Sequence, residues 1–400
     1  MAESNTVPVK LPSLLDTDLY KLTMQQAVLK HYPTAQVTCS LRLSQDELDW
    51  LKTACPYFQS EYIEFLNSFQ LNPADEVDVR WIAKGSDETG SEAKGSLEVN
   101  VRGLWSNVIL YEVPVMAIIS ETYFRTMDLD WNPDGQRELA REKGMALMQK
   151  GILFSEFGTR RRRSLAAHEQ VIAGLLEAQN QVQGTPNYGR VLGTSNVMLA
   201  KKFGLQPVGT VAHEWTMAIA AIEGYEHSNL RALQQWDAEY QPPTFTPHQP
   251  SANLTIALTD TFSTKVFWDD LLSCDQGIEI LRRWRGVRQD SGDPKAFVLR
   301  AIDVYKRIGV DPSEKLTFAQ QSGIQAGFGV GTFLTNDFDK KSNPSEKSRA
   351  LNIVIKMNSI NGHPTVKISD ELTKNTGDRE EIALVKRRFG LEGKESVEDA

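Results

Sequence analysis

His213 and Glu214 stand where a β-branched apolar run, Val208–Ala212, gives way to apolar residues at helical spacing (VGTVAHEWTMAIAAI). Such a pattern is a strand whose tail opens a helix, and in parallel α/β folds that junction is where catalytic groups gather. Taken alone, a histidine there is an ordinary capping or hydrogen-bonded residue, but similar junctions recur along the chain. Gly158–Arg163 (GTRRRR) puts Thr159 and four arginines after another apolar run. Arginine forks and free backbone N–H groups at a helix entry clamp phosphate or carboxylate, and position selects Arg160 and Arg161 as the two that face inward. Arg288–Asp293 (RQDSGD) offers Asp290, Ser291 and Asp293. Carboxylates beside phosphate oxygens hold Mg²⁺, so Asp290 and Asp293 are the expected metal ligands; the plain alternative is a turn ahead of a helix begun by Pro294. Thr259, Asp260 and Thr261 repeat this chemistry one unit earlier. Gly329 and Gly331 permit close backbone approach to a phosphate, followed by Thr332. Together these tails suggest a phosphorylated, Mg²⁺-bound substrate. In that setting His213 can accept a phosphoryl group covalently, with Glu214 orienting its imidazole.

The elements that must position these residues are legible in the same pattern. From Gly151 the chain repeats strand, loop and helix, with strand candidates at Ile152–Phe154, Gly189–Leu192, Pro207–Ala212, Leu254–Leu258, Trp284–Val287, Lys315–Phe318 and Gln325–Val330. Alternation of this kind implies a parallel sheet. Seven candidates with polar tails on one side predict an irregular (β/α) barrel over 151–344 with its site at the C-terminal rim; a doubly wound open sheet is the alternative. Only Ala319–Ile324 separates the last two candidates. A parallel crossover needs roughly a dozen residues, so the barrel is expected to lack one βα unit there. Residues 1–150 mix strands and helices in no simple order and read as an α+β domain. Within them Asp16–Asp18 suit a helix cap, and Trp105–Met127 reads as a strand feeding a helix interrupted near Pro114. Asn361-Gly362 marks a hairpin, which with a final helix at Glu380–Phe389 is expected to return (345–400) to the first domain.

Composition bounds the functional class. The 400 residues carry a net charge of −8, with 40% hydrophobic and 24% charged residues. That balance, with no basic stripe interleaved with aromatics, argues against nucleic acid, so any phosphate binding must be local. No apolar run approaches the roughly 20 residues that span a bilayer, and the first residues lack a signal peptide's pattern. Three cysteines in no metal-ligand spacing suit a reducing compartment. A cytoplasmic protein is expected, with the nucleus left open.

The motifs LLDTDLYKLTM, FSEFGTRRRRS, LGTSN, PVGTVAHEW, ALTDTFST, GVRQDSGDP and GVGTFLTND together resemble nicotinate phosphoribosyltransferases, most closely the fungal and bacterial branch, from about Leu14 to beyond Asp370. The resemblance implies that nicotinate and 5-phosphoribosyl-1-pyrophosphate give nicotinate mononucleotide and pyrophosphate, coupled to ATP hydrolysis, in NAD salvage. It implies phosphorylation of His213 and stacking of Tyr20 on nicotinate, across the interface of a homodimer with shared sites. Thr210 and Arg288 would bind nicotinate. Thr332 and the Gly329–Gly331 turn would hold the phosphoribosyl phosphate, Arg160 and Arg161 would meet phosphate oxygens, and Asp290 and Asp293 the ribose or Mg²⁺. Phe157, Thr159, Ser195, Thr259, Asp260 and Ser291 complete the implied substrate shell. The family carries a further Ser-Asp motif between its KLTF and FGxGT strands, which this chain lacks, and Phe333 stands where the family tends to place a polar residue. A catalytically impaired homologue acting as a binding or scaffold subunit is the rival reading, and a nicotinamide or quinolinate enzyme a third.

Overall fold

In the computed structural model, the structure describes residues 11–31, 43–83, 95–240, 254–315 and 327–394. The expected strand at Ala35–Leu43, the strand Lys315–Phe318 after its first residue, and the short 319–324 connection lie outside them. The fold is mixed α/β with parallel sheet. β1 (Val77–Ala83) and β2 (Gly95–Val101) form an antiparallel ribbon. β3 (Leu153–Glu156) lies between β4 (Arg190–Thr194) and β7 (Gly327–Val330), parallel to both. β5 (Ile256–Leu258) and β6 (Gly286–Arg288) form a second parallel pair. Five of the seven expected strands are therefore present as strands. Pro207–Ala212 is not one: a single parallel bridge, Thr194 to Pro207, ties this extended segment to the end of β4.

The parallel strands are short because the helices between them bury the apolar residues. Asn196 caps the helix Val197–Phe203, and Asp293 caps Pro294–Arg307, where Pro294 at the first position gives up an N–H that had no partner. One hydrophobic cluster runs from Leu14 to Ile308, with Trp215, Trp236, Trp268 and Trp284 fully buried in it. It joins residues before 114 to residues after 196 in a continuous core.

A second expectation also differs from the structure. Trp105–Met127 holds no strand: it forms a helical turn, Trp105–Val108, and a helix, Glu112–Thr126. Pro114 falls in that helix's first turn, where a missing N–H costs nothing, so it interrupts nothing. The hairpin pairs Ser359 with Pro364 around Asn361 and Gly362, both at positive φ as the turn demands. Within 345–400, Ser348 Oγ donates to Asp128 at 3.4 Å, and Met357 and Ile360 pack against the cluster that begins at Leu14. Val366, Ile368, Leu372, Val385 and Leu391 share a core with Ala220, Tyr225, Phe262 and Val266. A two-residue hairpin extends no sheet, so packing against the helix His213–Glu223 and its neighbours fixes this part of the chain.

Candidate active site

His213 is the first residue of the helix His213–Glu223 and is buried. Its Nδ1 lies 3.0 Å from Thr261 Oγ1. Its Nε2 lies 3.5 Å from Asp290 Oδ2, too far for a good hydrogen bond, and has no hydrogen-bond partner among the described residues. Burial lowers the imidazole's pKa from the ordinary 6.5, against the opposing pull of Asp290 and Asp260. The ring is thus neutral at neutral pH, the form in which a ring nitrogen is nucleophilic. Glu214, expected to orient the imidazole, does not. Its Oε2 pairs with Lys21 Nζ at 2.6 Å and its Oε1 accepts from Trp105 Nε1 at 2.7 Å. One step along a helix is 100° of rotation, which turns Glu214 away from the ring. Thr261 and Asp290 orient His213 instead.

Arg288, the last residue of β6, reaches across to the 207–212 segment. Its Nη1 donates to Thr210 Oγ1 at 2.9 Å, its Nη2 to the Val211 carbonyl at 3.2 Å and its Nε to Asp290 Oδ1 at 3.0 Å. The two expected nicotinate residues, Thr210 and Arg288, are therefore in contact, and Asp290 links them to His213. Burial works to raise the Asp290 pKa, but Arg288 and the imidazole outweigh it and hold the carboxyl well below its usual range.

The four arginines part company. Arg160 Nη1 meets Glu112 Oε1 at 3.2 Å, beside Asp18 and Tyr20. Arg161 is half-buried beside Arg160, and burial together with that neighbouring charge lowers its pKa. Arg162 is buried and clamps Asp16 with two bonds of 2.6 Å. Arg163 is buried with its guanidinium 3.6 Å from the Phe124 ring centre and 4.6 Å from that of Phe338, donating to Ser348. Arg160 and Arg161 are thus the two of the four held neither by Asp16 nor among the Phe124 and Phe338 rings. Lys21, which sequence reasoning missed, bridges Glu112 at 2.7 Å and Glu214. Glu112 is drawn down to about 2: burial pushes it up, and Lys21 and Arg160 overcome that. A lone acidic residue in the apolar run LYEVPVM was the available signal for Glu112.

Several expected substrate contacts are buried ties. Tyr20 is buried, with 8% exposure within the single chain. A side chain at Gly209 would collide with the Tyr20 backbone at 2.8 Å, which is how close the helix Leu19–His31 comes to the 207–212 segment. Ser195 Oγ donates to Asp18 at 2.6 Å, and Asn196 Nδ2 to Asp16 and Thr159. Asp16 and Asp18 thus cap no helix; they tie the tails of β3 and β4. Thr259 Oγ1 pairs with Thr264 Oγ1 at 2.8 Å, while Asp260 accepts from Ser291 Oγ and from the Asp290 N–H at 3.2 Å.

Asp293 is the helix cap, its Oδ1 accepting from the N–H groups of Lys295 and Ala296. Among the described residues no three His, Cys, Asp or Glu side chains converge on one point. Glu156 and Val330 are opposed in the parallel pairing, so Phe157 and the Gly329–Thr332 turn share one rim. A Cβ at Gly329 would come within 3.3 Å of the Phe157 ring and one at Gly331 within 3.1 Å of the Phe157 carbonyl oxygen, so both glycines sit tightly against Phe157. Phe333 is exposed, with Lys143 Nζ 4.1 Å from its ring centre.

Residues 152–393 match the nicotinate phosphoribosyltransferase (NAPRTase) family, and residues 38–120 match that family's N-terminal domain. A relative from Schizosaccharomyces pombe, named "Probable nicotinate phosphoribosyltransferase", is 40% identical, with 95% of this chain and 98% of the relative aligned. Its alignment runs over 423 positions, more than the chain's 400 residues, so the relative carries segments that this chain lacks. A crystal structure from Saccharomyces cerevisiae superposes with a TM-score of 0.83 at 36% identity, covering 96% of this chain and 99% of that one. The nicotinate phosphoribosyltransferase of Porphyromonas gingivalis gives 0.78 at 31% identity, covering 95% and 100%. With its motifs in order and its fold shared over nearly its whole length, the chain belongs to the nicotinate phosphoribosyltransferase family.

Proposed function

We propose that the chain transfers the phosphoribosyl group to nicotinate at the rim where His213, Arg288, Thr210 and Asp290 meet, and that ATP is coupled to this through His213. The observation that carries the reading is the buried, neutral imidazole whose Nε2 is free of hydrogen bonds while Thr261 holds Nδ1. With the Nδ1 proton donated to Thr261, the Nε2 lone pair attacks the γ-phosphorus of ATP. The bond from that phosphorus to the bridging oxygen breaks, ADP leaves with the electron pair, and water later returns the phosphoryl group as inorganic phosphate. In the transfer itself the nicotinate ring nitrogen bonds to ribose C1, and the C1–O bond breaks with pyrophosphate leaving. Arg288 and Thr210, already in contact, supply a fork and a hydroxyl for the nicotinate carboxylate. Arg160 and Arg161 supply charge for phosphate oxygens.

The donor set fits a magnesium ion that arrives with phosphates, because such ions need only one or two carboxylates from the protein. Asp290 would hold it, with Asp293 the second expected carboxylate, and the ion would supply positive charge against the leaving pyrophosphate. The parallel pieces β4–β3–β7 and β5–β6 are arcs of one barrel carrying the site, over 151–344, one βα unit short near 319–324, with 1–150 as a second domain. The active assembly is a homodimer in the cytoplasm.

The test is formation of nicotinate mononucleotide from nicotinate, phosphoribosyl pyrophosphate and magnesium ATP by the purified chain. Product stimulated by ATP is expected. Absence of product at any enzyme concentration favours the impaired homologue, for which the short 319–324 connection is the specific reason.

A further inference from the structure

The residues from Thr365 to Thr376 cross the site side of the molecule as a strap. Lys367 and Thr376 exchange two backbone hydrogen bonds, of 2.8 and 2.9 Å, which close the strap into a loop. Two of its residues then reach the tails around the imidazole. The Ile368 N–H donates to the carbonyl of Thr261 at 2.8 Å, and Thr261 is the residue that holds His213 Nδ1. Asp370 is 1% exposed, and its carboxylate bonds only outside its own segment. Oδ1 accepts from the Thr264 N–H at 2.5 Å, and Oδ2 accepts from Thr264 Oγ1 at 2.7 Å and from Gln289 Nε2 at 2.6 Å. The Asp370 N–H donates to Ser291 Oγ at 3.0 Å. Asp370 therefore grips residues 289 and 291, on either side of the Asp290 that faces His213 Nε2.

The backbone bears the marks of this grip. Ser369 and Ser263 both hold positive φ, +63° and +85°, a conformation costly for residues other than glycine and kept only where the surroundings enforce it. Gly292 has φ +88°, and a Cβ there would lie 2.9 Å from Asp370 Cβ, so only glycine admits the carboxylate at this distance. The strap thus touches both neighbours of the imidazole through separate contacts.

We infer that Asp370 is a positioning residue for His213, setting the imidazole's environment by fixing Asp290 from both flanks while Ile368 fixes Thr261. The inference rests on the proposed role of His213, but its test does not. The groups facing the ring are Thr261, Asp290, Asp260 and Lys367.

The protein would be labelled at histidine ring carbons, and the His213 signal, one of six, identified by its loss in His213→Ala and recorded by NMR at a single pH of about 7.5. In Asp370→Ala the three donors lose their acceptor and the Asp290 turn loosens, so the His213 ring signal is expected to move from its wild-type position and broaden. The kcat should fall about 10- to 100-fold, the scale of a misplaced catalytic group. Asp370→Asn keeps an oxygen for Thr264, and a turned Gln289 amide can accept from its new N–H group, so it should restore most of both. Should Asp370→Ala not fold, Gln289→Leu removes one donor alone and should move the signal by less. A folded Asp370→Ala, or failing it Gln289→Leu, with the wild-type His213 signal and kcat overturns the inference. A His213 signal that responds as described in a protein that accepts no phosphoryl group would instead sink the phosphoryl reading and leave the strap's role standing.

Discussion

Arg288 divides its fork among Thr210, the Val211 carbonyl and Asp290, and under the proposed function it is the cation that selects the nicotinate carboxylate. Lysine in its place keeps the charge and loses the fork. Each lost charge-assisted bond is worth about 1.5–3 kcal/mol, so Arg288→Lys should raise the KM for nicotinate roughly 10- to 100-fold. Steady-state kinetics with nicotinate varied checks this, and an unchanged KM would remove Arg288 from the carboxylate. The lowered imidazole pKa of His213 carries a stability signature with a definite sign. The unfolded chain protonates this ring near 6.5 while the folded one stays neutral. Its contribution is therefore complete above about 6.5 and drains away as pH falls from there toward the depressed folded value. Urea unfolding between pH 7.5 and 5 should show a shallower fall in stability for His213→Gln than for the wild type. Parallel curves would mean the ring is not buried neutral. Glu214 belongs with Lys21 and Trp105, so Glu214→Gln should disturb folding stability before it disturbs phosphorylation.

At the scale of elements, the short tails of the strands are organised by long-range ion pairs. Asp16 and Arg162 are 146 residues apart and fully buried. Breaking one partner of such a pair leaves an uncompensated charge and costs about 3–5 kcal/mol. Arg162→Met should lower the unfolding free energy by that amount, and Arg162→Met with Asp16→Leu should regain much of it, as urea melts would register. Equal losses in the single and double variants would show that the pair is not acting as one unit. The same distances explain what could be read in advance. The helices over 165–182, 213–223 and 294–307 and five of the strands follow from local periodicity and caps. So does the contrast between Arg160–Arg161 and the other two arginines, in outline. The partners do not follow, because Lys21 and Glu214 are 193 residues apart and Asp370 and Gln289 81, and no local pattern encodes such pairings. Asp293 is a related case: a carboxylate ahead of Pro294 suits a metal and a helix cap equally well, and only the location of its neighbours' N–H groups reveals the cap.

For the whole molecule, the net charge of −8 means that, under the proposed function, anionic substrates must be met by local cations such as Arg288 rather than by a basic surface. The continuous core from Leu14 to Ile308 joins the expected first domain to the sheet-bearing part, so the tails are held from both sides. Sedimentation at micromolar concentration should give twice the 44.9 kDa chain mass, and a purely monomeric species with full activity would contradict a shared assembly. The most direct test of the account as a whole asks whether His213 carries a phosphoryl group during turnover. Incubation with ATP labelled at the γ-phosphate, followed by quenching in alkali, should leave an acid-labile label on the wild-type protein and none on a folded His213→Ala. A label that persists in the variant, or none on an active wild-type enzyme, would contradict it.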